Sequence, residues 1–289
     1  MVNQEIIFVT GKGGVGKSTV ALALARKLAQ QRRVLLVELG LRSFYADCLN
    51  VPIGYQPRRF QKNLEIALWS GTDCLREYAI HLLKIESLYK LFFENRISRA
   101  LIEVAPALSE LAILGKITSG IRKIGPPLDY DVIVVDSYAT GHMMALLRAP
   151  RGMAEAVRFG PMAEQTATML STIRNPEICR YVIVSLPEEL PAVEADELYR
   201  DIHDEVGIRP TILCNKVWSA DEIRSLRASS SGESAPKEKE FLKDLNDHLL
   251  RQEAWIQYLK HRHPDVRLLP MTFSSDPMTV TASIEKELL

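Results

Sequence analysis

The sequence predicts an α/β fold, a mostly parallel sheet flanked by helices, with a helical segment set between two of its strands. Short β-branched or aliphatic runs recur between longer stretches of helical periodicity. Several of these runs are apolar at successive positions, as strands covered on both faces are. The first run also leads directly into a glycine-rich turn that opens a helical pattern.

The first strand is expected at residues 6–10. It ends in Gly11-Lys12-Gly13-Gly14-Val15-Gly16-Lys17-Ser18-Thr19, and helical periodicity follows over residues 17–30. Gly11, Gly16, Lys17 and Ser18 meet the pattern G-x-x-x-x-G-K-[ST] of a phosphate-binding loop. Glycine leaves the backbone free to curl around an anion with its N–H groups inward. The Lys17 ammonium can neutralise the β- and γ-phosphates, the Ser18 hydroxyl can ligate Mg²⁺, and the positive end of the helix favours the same charge. A nucleoside triphosphate with Mg²⁺ is the expected ligand, and the fold is that of a P-loop NTPase. Lys12 sits at the tip of the loop, badly placed for its own phosphates and better placed for those of a facing subunit, so a dimer is implied.

Further strands are expected at 34–37, 131–135, 181–185, 211–215 and 266–271. Residues 75–123 carry no strand pattern but have apolar residues at helical spacing, such as Leu82, Leu83, Leu88, Leu91, Phe92, Leu108, Leu111, Ala112 and Leu114. That segment is either a functional helical lobe or the crossover covering one face of the sheet. Residues 228–240 are polar and rich in serine and read as a mobile loop, with a helix following from Phe241. A single domain over 1–289 is expected.

Lysine plus arginine and aspartate plus glutamate both number 36, so no overall basic field draws nucleic acid or membrane, and neither a nucleic-acid partner nor a stable membrane anchor is expected. No leader pattern or bilayer-length apolar run occurs, which makes a cytoplasmic location the expectation. Cys48, Cys74, Cys179 and Cys214 form no C-x-x-C pair and read as reduced thiols. His261 and His263 read as part of a solvated face. Met143, Met144, Met153, Met162 and Met169 offer either an adaptable apolar surface or core packing.

The loop KGGVGKS resembles that of the deviant Walker A ATPases, a group holding the MinD and ParA organisers, the nitrogenase iron protein and the ArsA family of anion-pump and tail-anchored-protein-targeting ATPases. Asp136, Thr140, Gly141 and His142 match the D-x-x-P-T-G-H segment of the ArsA family, with Ala139 in place of its proline. Residues 105–111 resemble its P-G-x-x-E-L segment and residues 186–191 its P-E segment. The resemblance implies an ATPase cycling between ATP and ADP with Mg²⁺. Lys12 would act across a nucleotide sandwich, in a homodimer or a heterodimer with a paralogue, and an unidentified protein client would respond. Asp136 would bind the metal with Ser18, Asn215 would meet the adenine, and Pro270 would lie near the segment closing over the base. His142 would couple nucleotide state to shape.

One departure bears on turnover. The family carries D-P-A-H after the second strand, where this chain has Glu38-Leu39-Gly40-Leu41-Arg42-Ser43, nearer to the MinD pattern. Glu38 then stands where an aspartate orients the attacking water, with Asp47 a second candidate, and slow hydrolysis is the expectation. A nucleotide-binding regulator with weak or lost hydrolysis is one alternative. The other is a MinD- or ParA-like spatial organiser, against which the short acidic C-terminal segment counts, since it is no basic amphipathic anchor.

Overall fold

A computed structural model of the protein describes residues 4–83, 107–157, 159–218 and 236–288. The strands are β1 (Glu5–Gly11), β2 (Val34–Leu39), β3 (Arg58–Gln61), β4 (Leu64–Trp69), β5 (Val132–Asp136), β6 (Cys179–Ser185), β7 (Thr211–Val217) and β8 (Arg267–Pro270). They form one sheet in the order β3-β4-β2-β5-β1-β6-β7-β8. All neighbours are parallel except β3, which runs antiparallel to β4. Every residue of β2 and β5 is buried, as continuous apolar runs require when both faces are covered.

The helices are α1 (Lys17–Leu28), α2 (Phe44–Leu49), α3 (Gly71–Leu83), α4 (Leu108–Ile117), α5 (Ser119–Arg122), α6 (Thr140–Ala156), α7 (Pro161–Ile173), α8 (Glu189–Val206), α9 (Pro236–Arg262) and α10 (Pro277–Glu287). Alternation along β1 divides the core. Ile6 and Phe8 join Cys74 of α3, Leu111 of α4, Met143 of α6, Leu198 of α8 and Ile256 of α9, while Ile7 and Val9 join Val20 and Leu22 of α1 and Ile284 of α10. The Phe8 ring stacks on Tyr181 at 5.3 Å. This packing presents the C-terminal ends of the central strands, and the turns that follow them, at one edge of the sheet.

All six expected strands form, and the β3–β4 hairpin joins them. Its outer strand begins Arg58-Arg59, a charged edge that shows no alternation, and its turn turns on Asn63 in the left-handed conformation (φ 62°). β4 pairs with β2 over its whole length and buries Leu64, Ile66, Ala67 and Trp69. Within 75–123 the described residues form α3, α4 and α5, with Leu111, Ala112 and Leu114 in the core; Leu88, Leu91 and Phe92 lie outside the described residues.

Two expectations are corrected. Helix α9 begins at Pro236, inside the segment read as a mobile loop, because proline is preorganised for the first helical turn and Lys-Glu-Lys-Glu is good helix sequence; residues 228–235 lie outside the described residues. His263 is no solvated residue: it is buried against Asp196 of α8, with Nε2 2.8 Å from the carboxylate and the ring 4.1 Å from that of Tyr199. Of the two uses open to the methionines, core packing is the one found for Met143, Met144 and Met169, while Met162 is exposed.

Candidate functional site

The loop leaves β1 at Gly11, whose φ of 142° and position against β6 require glycine: a Cβ there would lie 2.1 Å from the Val184 carbonyl oxygen. Gly16 precedes α1 in the left-handed conformation (φ 92°), and a Cβ would meet the Asn215 amide at 2.5 Å. Between them Val15 is buried and anchors the loop, while Gly13 and Gly14 are exposed at its crest. Asn215 Nδ2 donates to the Val15 carbonyl at 2.9 Å. The residue expected at the adenine therefore buttresses the loop from β7. Pro270 ends the edge strand β8 and pairs with Val217.

Lys17 Nζ donates to the Lys12 carbonyl at 2.9 Å, closing the loop across its own mouth. Burial lowers the Lys17 ammonium from its ordinary value, and the Asp136 charge opposes that shift. Lys12 projects to the other side and forms an ion pair with Glu194 of α8, both groups about one-third exposed. Thr19 follows in the first turn of α1, half-buried.

The sheet register places Glu38 of β2 directly beside Asp136 of β5, and Asp136 beside Val9 of β1, two residues before the loop. Both carboxylates are buried, at 6% and 4% exposure. Asp136 is pushed up to about 6, chiefly by burial and further by the Glu38 charge; hydrogen bonds from Ser18 and Tyr45 and the charge of Lys17 oppose the rise. Among the described residues, neither carboxylate has an ion pair with a lysine or arginine.

Glu38 is engaged by α2. One oxygen accepts from the Ser43 hydroxyl at 2.5 Å and the other from the Phe44 N–H at 2.6 Å, while Ser43 itself caps the helix by accepting from the Ala46 N–H at 3.0 Å. Burial raises the Glu38 carboxyl despite these bonds and one from the Tyr45 N–H, with nearby Asp47 adding to the rise. Asp47 is exposed.

Three residues in contact with the loop edge escaped the sequence reading. Tyr45 is fully buried, and its hydroxyl lies 2.9 Å from both the Ser18 carbonyl and Asp136 Oδ2. Thr10 Oγ1 donates to the Tyr138 carbonyl at 2.9 Å, tying β1 to the turn after Asp136. Glu194 meets Lys12. Only the run Ser43-Phe44-Tyr45 after a strand-end carboxylate hints at the first, as a helix start; no spacing signals the others. His142 stands exposed at the start of α6, its ring 5.8 Å from that of Tyr138.

Chemically the edge offers a loop of backbone N–H groups, one partly desolvated ammonium, a serine hydroxyl and two adjacent carboxylates without an ion-pair partner among the described residues. Hard oxygen donors of this kind suit Mg²⁺, and the buried Asp136 beside Ser18 fits it. A cavity of about 540 Å³ lies elsewhere, at the N-terminal ends of β2 and β4, lined by residues including Arg33, Arg59, Glu65, Lys116 and Tyr130. Several of its polar groups are already paired, as Arg33 with Asp129 and Tyr130 with Glu65.

The family model for anion-transporting ATPases matches residues 4–206. The chain is 30% identical to the ATPase BagA of Mycobacterium tuberculosis, over 78% of this chain and 69% of that one. It is 26% identical to an arsenical pump-driving ATPase of Escherichia coli, over 80% of this chain and 38% of the relative. Against an arsenical pump-driving ATPase of Acidiphilium multivorum the identity is 25%, over 97% of this chain and 43% of the relative. The chain thus spans less than half the length of these two pump-driving relatives.

Proposed function

The chain belongs to the anion-transporting ATPase (ArsA) family, and from that premise we propose that it binds ATP with Mg²⁺ at the loop 11–19, hydrolyses it, and uses the change of nucleotide to alter its grip on a protein client. The observation that carries this reading is the register that sets Glu38 beside Asp136, and Asp136 beside Val9 of β1, two residues before the loop begins. Two buried carboxylates of like charge favour a cation between or beside them. Ser18 and Asp136 would hold Mg²⁺, which when bound offsets charge on the phosphate oxygens.

The chain's own groups would do the rest. Loop N–H groups and the start of α1 receive the phosphates, and Lys17 exchanges its bond to the Lys12 carbonyl for a phosphate oxygen. Asn215 supports the loop at Val15. Glu38 orients the attacking water, for which it must release at least one of its bonds to Ser43 and Phe44. Lys12 must leave Glu194 to reach a nucleotide in a second subunit, either an identical chain or a paralogue. Because the closed arrangement makes contacts available only to the triphosphate, hydrolysis would reopen it.

A second reading, a nucleotide-binding regulator with little hydrolysis, draws on one observation: both Glu38 oxygens are occupied in capping α2. A spatial organiser that used α10 as a membrane-surface helix fits less well, since α10 buries Ile284 and joins α1 through Arg26–Glu285. No helix among the described residues is long and apolar enough to cross a membrane. Three of the four cysteines are buried, which favours a protein client over arsenite.

Mass in solution with ADP and with a non-hydrolysable ATP analogue, for wild type and Lys12→Ala, tests the proposal. Dimer with the analogue alone, lost in Lys12→Ala, is the expected result. A wild type that stays monomeric throughout while Lys12→Ala hydrolyses ATP normally would refute the sandwich mechanism for the homodimer. An ATPase rate indifferent to Glu38→Ala and Asp136→Ala would favour the regulator.

A further inference from the structure

We propose that Tyr45 is a positioning residue for the metal response of the loop, and that α2 transmits the state of Glu38 to Asp136 and Ser18 through its hydroxyl. The inference rests on the reading of loop 11–19 as a nucleotide and Mg²⁺ site. A large aromatic at the centre of a core needs no hydroxyl, and an unsatisfied one there is costly. This hydroxyl is satisfied by two groups that both belong to the site: the Ser18 carbonyl and Asp136 Oδ2, each at 2.9 Å.

Both partners are acceptors, whereas a phenol has one proton. The proton is therefore shared, and a pull on either partner is felt by the other. Tyr45 joins the start of α1 to the end of β5 at the point where the Ser18 side chain also meets Asp136. In this way it fixes the direction in which the carboxylate presents its remaining lone pairs. Partners of this kind, behind metal-binding carboxylates, set affinity without touching the ion.

Tyr45 rides on α2, whose first turn is held by Glu38 through Ser43 and Phe44. When Glu38 turns away from that turn, α2 loses its anchor on β2 and Tyr45 loses its registration on Asp136. The two strand-end carboxylates are thus linked through the consecutive residues Ser43, Phe44 and Tyr45, hydrogen-bonded to Glu38 at one end and to Asp136 at the other, rather than by their proximity alone. Release of α2 and loosening of the metal site become one event.

The test is equilibrium binding of a fluorescent ATP analogue titrated with Mg²⁺, and separately in EDTA, for wild type, Tyr45→Phe, Asp136→Asn and the double variant. Phenylalanine keeps the ring, and thermal melting of each variant checks that it is folded. In Tyr45→Phe the Mg²⁺ concentration for half-maximal tightening should rise about tenfold while affinity in EDTA stays within about twofold. In the Asp136→Asn background the same change should add nothing further. A Tyr45→Phe titration superimposable on that of wild type would overturn the assignment alone. So would an equal loss of affinity with and without Mg²⁺, which would make Tyr45 a general support of the loop. A wild type that binds no nucleotide would overturn the underlying site reading as well.

Discussion

Buried carboxylates occur in two settings in this protein, and their treatment differs. On α8, Glu205 is surrounded by Arg148, Arg151 and Arg174, at 3.8, 2.8 and 3.6 Å. Asp196 on the same helix meets His263 at 2.8 Å, Arg200 at 3.3 Å and Arg262 at 3.6 Å. At the loop edge, Glu38 and Asp136 lie beside each other with hydroxyls and backbone N–H groups for company and no described arginine. Burying charge is unfavourable without compensation. Around Glu205 and Asp196 the fold supplies cationic partners; at the loop edge it supplies hydrogen bonds and the charge of Lys17 alone, and Asp136 rises to about 6. The difference separates charges that the fold itself neutralises from those that, on the proposed function, a cation arriving with the nucleotide would complete.

Replacing the uncompensated carboxylate should break function and spare the fold. Asp136→Asn should lower ATP turnover at least about 100-fold, in steady-state phosphate release, without lowering the melting temperature of the ligand-free protein. The same substitution sharpens the contrast through pH. A carboxyl raised in the folded state binds its proton more tightly there than in the unfolded chain, so ligand-free stability falls as pH climbs from the unfolded value through about 6. Urea denaturation at pH 4.5 and 7.5 should show the advantage of Asp136→Asn over wild type growing by about 2 kcal/mol.

The compensated cluster should respond in the opposite manner. Glu205→Gln should cost about 1–2 kcal/mol of stability, discounted because its three arginines are half-exposed and can rehydrate, with turnover per folded molecule unchanged. A turnover loss there would erase the distinction. The smallest change is a control touching neither cluster. Ala107 holds the left-handed conformation (φ 82°) before α4, at the place where the resembling P-G-x-x-E-L segment has glycine. Ala107→Gly should gain about 0.5–1 kcal/mol in chemical denaturation and leave turnover alone.

The loop and six of the seven described strands with a parallel neighbour were legible because their signals are local; β4, parallel to β2, was missed. Gly11 to Thr19 follows an apolar run and opens a helix within a single stretch, and 34–37 or 131–135 could be little else than covered strands. β3 was not legible, because an edge strand tolerates Arg58-Arg59 and is defined by its pairing with β4 rather than by its own pattern. His263 was misread since its partner, Asp196, arrives from a helix 67 residues away. Similarly, the importance of Tyr45 depends on Asp136, 91 residues distant, and nothing near Tyr45 in the chain announces it. Glu38 could be located from sequence, but its engagement with α2 could not.

The most direct test of the central claim, that the loop-edge carboxylates are completed by a cation arriving with the nucleotide, is ATP-analogue affinity with and without Mg²⁺ in wild type and Asp136→Asn. Tightening by Mg²⁺ of about tenfold or more in wild type, reduced to near nothing in Asp136→Asn, is the predicted result. Equal tightening in both proteins would contradict it, since the buried carboxylate would then have no part in holding the cation.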